Sequence, residues 1–147
     1  MKVVGLSIID RLLEEEGSLT ARVRGGIRRD LEDLLNSNPR VLGWPRELRE
    51  LDNSLLNFGI QDLATANLAT DQHRSAVVEE LGDIIRAWEP RLENLIVSAL
   101  PNADPGDRSL RMRIEAQIAL DPVSEPMIFD TIIDPIGNTV SLLSTAR

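Results

Sequence analysis

"LRMRIEAQIAL", residues 110–120, alternates without a break: Leu110, Met112, Ile114, Ala116, Ile118 and Leu120 point one way, and Arg111, Arg113, Glu115 and Gln117 the other. A two-residue period with one apolar and one polar face describes an antiparallel strand that buries one side and wets the other. Before it, "LENLIVSAL" (92–100) reads as a first strand, separated by the turn-rich loop "PNADPGDR" (101–108). After it come "DPVSEP" (121–126), then "MIFDTIID" (127–134) and "TVSLLS" (139–144) around "PIGN", whose Gly137-Asn138 is a hairpin-turn signal. The C-terminal part therefore predicts a three- to four-stranded, mainly antiparallel sheet.

Upstream the period lengthens to that of a helix. "SIIDRLLEEEG" (7–17) reads as a short helix with Ser7 as N-cap and Gly17 beyond its end, so residues 1–17 form a short helix or an N-terminal arm. Leu19, Val23, Ile27, Leu31, Leu34 and Leu35 recur at helical spacing between about Ser18 and Asn36. Gly25 and Gly26 interrupt that pattern, each costing roughly 1 kcal/mol relative to Ala, which leaves "IRRDLEDLLN" as its firm part. Residues 39–70 carry Pro39, Gly43, Pro45 and Gly59 and read as loop, with a short helix or turn near 45–57. A further helix opens on Thr70 or Asp71 and places Val77, Leu81, Ile84, Ile85 and Trp88 on one face. Pro90 disfavours helical geometry at Glu89 and ends it. The fold class is α+β, with N-terminal helices packed on a C-terminal sheet in one domain over residues 1–147.

Composition removes several function classes. The chain of 147 residues is 42% hydrophobic and 27% charged, close to globular averages, and no apolar run approaches the ~18 to 20 residues that span a bilayer. A chain of this length buries roughly 68 to 70% of its unfolded surface, enough for a real core. The start "MKVVGLSIIDRLLEEEG" has no small-residue cleavage site, so it does not read as a secretory signal, and the cytoplasm is the expected compartment. Without Cys there are no disulfides, thiolate metal sites or Cys nucleophiles, and the single His73 rules out a multi-histidine metal site. A net charge of -8 disfavours nucleic acid. All the basic residues but Lys2 are Arg, a type suited to planar contacts at protein interfaces.

The candidate sites are few. A glycosidase acid at Glu89 needs a second carboxylate about 5 to 9.5 Å away across a sugar cleft, and aromatics are only 3% of the chain. No nucleophile-elbow spacing supports a Ser-His-Asp triad, and His73, near a helix start, reads as a solvated or capping side chain. "ARVRGGIRRD" (21–30) gathers Arg22, Arg24, Arg28 and Arg29, but acidic residues follow at once, so it reads as a solvated helix face with local ion pairs. "AWEPRLEN" (87–94) is the most informative stretch. Its Glu89 and Arg91 leave the backbone in directions fixed by Pro90. They act either as a local clamp, with Arg91 on a neighbouring carboxylate and Glu89 on the surface, or as charge-assisted hydrogen-bonding groups for a partner chain.

Taken in order, "LSIIDRLLEEE" (6–16), "IRRDLEDLLNSNPR" (27–40), "LLNFGIQDL" (55–63), "IRAWEPRLENLIV" (85–97), "LRMRIEAQIAL" (110–120) and "PMIFDTIID" (126–134) cover nearly the whole chain. This ordered set resembles the TssE family of type VI secretion baseplate subunits, part of a wider group of phage-tail baseplate wedge proteins often called lysozyme-like. Glu89-Pro90-Arg91 corresponds to the hallmark tripeptide of that family. "RRDLEDLLN" and "NFG" favour the secretion branch, while "NSNPR" (36–40) departs from the Asn-Thr-Arg expected after that helix. The resemblance implies a structural, non-enzymatic role without cofactors. It implies docking on the wedge proteins TssF and TssG through Glu89, Pro90 and Arg91, and strand pairing within residues 110 to 143 that helps start assembly of a sheath of TssB and TssC. It further implies a cytoplasmic baseplate docked at the inner membrane. The alternatives are a wedge subunit of a phage tail or other contractile injection system and, behind it, a peptidoglycan-cleaving lysozyme-like enzyme.

Overall fold

The alternating segment becomes an inner strand of the sheet. In the computed structural model, which describes residues 5–13, 16–120, 124–137 and 139–144, strands β1 (Leu92–Leu100), β2 (Leu110–Ile118), β3 (Glu125–Asp134) and β4 (Thr139–Ser144) form one sheet. Their spatial order is β1-β2-β3-β4, and every neighbouring pair is antiparallel. Leu110, Met112, Ile114, Ala116 and Ile118 are all buried, as the period of two requires. Across the ladder Ile114 lies between Val97 and Phe129, so the apolar face continues over three strands. The opposite face carries the charge pair Arg113–Asp130, whose two hydrogen bonds of 2.7 and 2.9 Å tie β2 to β3. Pro135, Ile136 and Gly137 lie in the turn between β3 and β4. Asn138, the other half of the expected turn signal, lies outside the described residues, as do residues 121–123 of the preceding connection.

Among the described residues three α-helices precede the sheet: α1 (Ile8–Leu12), α2 (Leu19–Leu35) and α3 (Asp71–Trp88). Ser7 caps α1, and the helix stops at Leu12, well short of Gly17. Ser18 caps α2, which runs without interruption through Gly25 and Gly26. The glycines expected to break the pattern are helical, and at Gly26 the place of the missing Cβ is taken by the Asp10 carboxylate. Val23, Ile27, Leu31, Leu34 and Leu35 of α2 are buried, whereas Leu19 at its start is exposed.

Residues 49–65 contain three short 3-10 turns, Arg49–Asn53, Leu55–Asn57 and Leu63–Thr65. Thr70 caps α3 by accepting a hydrogen bond from the backbone N–H of His73 at 3.2 Å, and His73 itself is exposed. The deepest residues of α3 are Val78, Leu81, Gly82 and Ile85, with Val77, Ile84 and Trp88 partly buried beside them. The inward face is thus turned about one residue from the expected one. Gly82 accounts for the turn: a Cβ there would meet Val97 Cγ2 at 2.5 Å, so only the bare helix surface lets β1 come this close.

One buried group is out of place. Thr131 is fully buried on the apolar face, opposite Met112 and Leu142, and its hydroxyl has no hydrogen-bond partner among the described residues. An unpaired buried hydroxyl costs about 1 to 3 kcal/mol. Thr131→Val, which keeps the shape, should therefore raise the stability of the chain by about 1 kcal/mol, seen as a higher urea midpoint at unchanged slope.

Candidate functional site

The corner at Glu89-Pro90-Arg91 begins where α3 runs out of helical geometry. The Glu89 N–H still donates to the Ile85 carbonyl at 2.8 Å, but its own φ and ψ, −119° and 78°, have left the helix. Pro90 then stands exposed, and Arg91 leads directly into β1. This geometry turns both charged side chains inward. Glu89 is only 4% exposed, and the Arg91 side chain 14%.

Arg91 is held by three carboxylates from three parts of the chain. Its Nε donates to Glu89 Oε1 and its Nη2 to Glu89 Oε2, both at 2.6 Å, a two-pronged pair within the corner itself. Nη2 also donates to Asp30 of α2, and Nη1 to Asp10 Oδ2 of α1 at 3.2 Å. Asp10 in turn accepts from Arg29 of α2. One guanidinium thus joins the corner to both preceding helices. Charge-assisted forks of this kind are short, directional and roughly twice as strong as neutral hydrogen bonds.

Asp10 reaches this position because of two local features. The Ser7 hydroxyl accepts from the Asp10 N–H at 3.1 Å and Asp10 Oδ2 accepts from the Ser7 N–H at 2.9 Å, a capping box that fixes the carboxylate's direction. Opposite it stands Gly26, buried in α2, where any Cβ would fall on the Asp10 carboxylate. Burial pushes the Asp10 carboxyl up, but hydrogen bonds from Ser7 and Arg29 and the charge of Arg91 outweigh it and hold the group below its ordinary value. For Arg91, hydrogen bonding to Glu89 raises the guanidinium, burial opposes it, and the charges of Glu89 and Asp30 add to the rise.

Of the two readings of the corner, the structure contains the intramolecular pairing of Arg91, but it places Glu89 in the interior and not on the surface. The face left to solvent is a cleft of about 380 Å³ between Pro90, Asp30, Leu34, Phe58 and Trp88. Phe58 and Trp88 meet edge to face in its wall, ring centres 5.2 Å apart. The arginine-rich stretch is divided in its use. Arg28 pairs with Glu32 on the outer side, while Arg22 and Arg29 turn toward Asp10. Asp10, Asp30 and Gly26 did not stand out from the sequence as site residues, and Arg29 did so only as part of the arginine-rich stretch. The one available signal was the Ser7-x-x-Asp10 spacing of a capping box. Among the described residues no group of three or more His, Asp or Glu is placed to hold a metal ion, and no helix is long and apolar enough to cross a membrane.

A family model described as "Baseplate wedge protein gp25" matches residues 21–123, which contain the corner, α3, β1 and β2 but not Asp10 or α1. No curated protein matches the chain.

Two outcomes follow from the corner's geometry. Removing one member of a buried ionic set strands the others, at about 3 to 5 kcal/mol. Arg91→Ala should lower the stability of the monomer by that order, measured by chemical denaturation. The second concerns acid. Because the Asp10 value is depressed on folding, its contribution is complete above the unfolded-state value and is lost as pH falls through the folded one. Below about pH 4 the amide signals of residues 5–13 should lose their protection before those of β2 do.

Proposed function

The chain belongs to the family of baseplate wedge protein gp25 and so is a structural component of a phage or other contractile baseplate, and on that premise we propose that it serves a type VI secretion baseplate as the TssE-type subunit. In this reading it joins TssF and TssG at the Glu89-Pro90-Arg91 corner and offers a sheet margin to the sheath subunits TssB and TssC. The assembled baseplate lies on the cytoplasmic side, docked at the inner membrane.

The observation that carries the reading is the presence, in one chain, of the bonded corner and of a sheet with outer strands, of which the corner and the β1 margin lie within the matched span. Among the described residues β1 and β4 each have a strand on one side only. A strand margin exposes N–H and C=O groups that another chain can pair with, which gives register without a deep pocket. At β4 the Val140 N–H is already taken by Asn36 Oδ1 at 3.0 Å, so one point of that margin is anchored to the end of α2. The ionic groups of the corner are bonded within the chain, and what they offer a partner is shape: the exposed Pro90 and the aromatic-walled cleft beside it. The network behind them keeps that surface stiff, and stiffness lowers the entropy lost on docking.

No enzymatic step is assigned. Both oxygens of Glu89 accept from Arg91, the arrangement of a structural ion pair, whereas hydrolysis of a sugar polymer needs two carboxylates facing a sugar across a cleft.

The docking role is tested with Arg91→Lys, which keeps one positive charge but cannot fork onto Glu89 while reaching Asp10 and Asp30. The variant should still unfold cooperatively yet fail to co-purify with TssF and TssG; undiminished complex formation would remove the tripeptide from the interface. Purified wild-type chain at high concentration should release no fragments from peptidoglycan, and turnover that disappears in Glu89→Gln would overturn the structural assignment.

A further inference from the structure

Hydrogen bonds at the rim of the sheet fix which backbone groups face outward. The Val140 N–H goes to Asn36 Oδ1, so at this residue β4 turns its backbone groups away from β3. Antiparallel pairs alternate between exchanging both bonds and exchanging none. Val140 stands opposite Ile133, and Ile133 stands opposite Leu110 on its other side, so Leu110 bonds β3 and its neighbour Arg111 bonds β1. Carried across the register, Ile96, Ser98 and Leu100 turn their backbone groups inward to β2, and Val97 and Ala99 turn theirs outward. Bonds at the start of β1 agree with this alternation. The Leu92 N–H donates to the Glu89 carbonyl at 3.3 Å, and the Leu95 carbonyl accepts from Arg86 Nη2 at 3.3 Å, both away from β2.

The outer margin of β1 is limited at both ends. Asn94 sits at φ 52°, the register shifts between Glu93 and Ile96, and Arg86 occupies the Leu95 carbonyl. A bulge of this kind ends pairing on its side. Beyond Leu100 comes Pro101, which has no N–H to give. Between these limits no hydrogen bond from a described residue reaches the outward N–H and C=O groups of Val97 and Ala99. Backbone groups buried away from water are paired, so these four face solvent or another chain. Beside them, on the sheet face opposite the core, Ile96 stands 61% exposed. Donors and acceptors two residues apart, with an apolar side chain at their flank, match the main chain of one short extended segment.

We propose that Val97 and Ala99 receive an extended segment of the protein that docks at the Glu89-Pro90-Arg91 corner, added to β1 as a further strand with an apolar residue beside Ile96. Cross-strand apolar pairs of that kind stabilise an added strand. Two observations choose β1 over β4. β1 continues directly from the corner, Leu92 following Arg91, and it lies inside the span that the family model matches, whereas β4 lies outside it. The β4 margin is also tied to α2 by Asn36 at Val140. The bulge and Pro101 leave the added strand one stretch to pair with, which sets its register. The inference rests on the docking reading above and adds a main-chain site to it.

The test is amide exchange at single residues, measured on the full-length chain alone and in its complex with TssF and TssG. Exchange at Val97 and Ala99 should slow at least tenfold in the complex, with Leu142 of β4 unchanged. Unchanged exchange at Val97 and Ala99 in a complex that forms, or slowing at Leu142 instead, would overturn the strand site and leave the docking corner standing. Failure of any complex to form would overturn both. Ala99→Pro supplies a second arm. It removes an outward N–H that bonds nothing among the described residues, a position where an edge strand tolerates proline. The variant should unfold cooperatively and bind TssF and TssG at least tenfold more weakly, while Ser144→Pro at the β4 margin should bind as the wild-type chain does. Undiminished binding by folded Ala99→Pro, or equal losses from the two prolines, would overturn the proposal. If Ala99→Pro does not fold, the exchange measurement on the wild-type chain decides alone.

Discussion

A single guanidinium, that of Arg91, ties together segments that the chain sets far apart. Its partners Asp10 and Asp30 lie 81 and 61 residues away in sequence, and its third partner, Glu89, is two residues away on the other side of a proline. The remaining architecture meets at this point. The last turn of α3, the first residue before β1, the inner side of α2 and the whole of α1 are referred to one planar cation. Only arginine supplies enough donors, in one plane, to serve three carboxylates at once. The proline between the two corner charges directs both side chains to one side, since its fixed φ allows little variation in the exit from the helix.

Much of this fold is legible from periodicity. The alternation at 110–118 gives a strand with one dry face, Ser7 caps the first helix as expected, Thr70 is the one of two candidates that caps α3, and α2 starts close to the expected Ser18. Two of the departures, at Gly26 and Gly82, share one cause, the close approach of another element to a residue without a side chain. Gly26 reads as a helix breaker on local propensity, yet it sits mid-helix because the Asp10 carboxylate occupies the place of its absent Cβ. Gly82 shifts the buried face of α3 because Val97 packs onto it. Propensity is a local quantity, and contacts of this kind are not.

The candidate site divides in the same way. Glu89, Pro90 and Arg91 are conspicuous as a charged corner, but charge alone does not say which way a side chain turns. Burial of Glu89 depends on Arg91, and burial of Arg91 depends on acidic residues contributed by α1 and α2. None of these pairings has a sequence signature beyond the Ser7-Asp10 capping box. The consequence for function is a change in what the corner contributes. Its ions link the junction between α3 and β1 to α1 and α2, and what the corner leaves to solvent is the exposed proline and the cleft beside it. The corner lies inside the span that matches the baseplate wedge family.

The claim at the centre of this account is that Arg91 and Asp30 act as one unit joining the corner to α2. A double-mutant cycle with Arg91→Ala, Asp30→Ala and the pair, read by urea unfolding, measures it directly. The account predicts that the two losses fail to add by about 1 kcal/mol or more, as residues within one ionic network do. Additivity to within about 0.3 kcal/mol, the behaviour of independent sites, would contradict it.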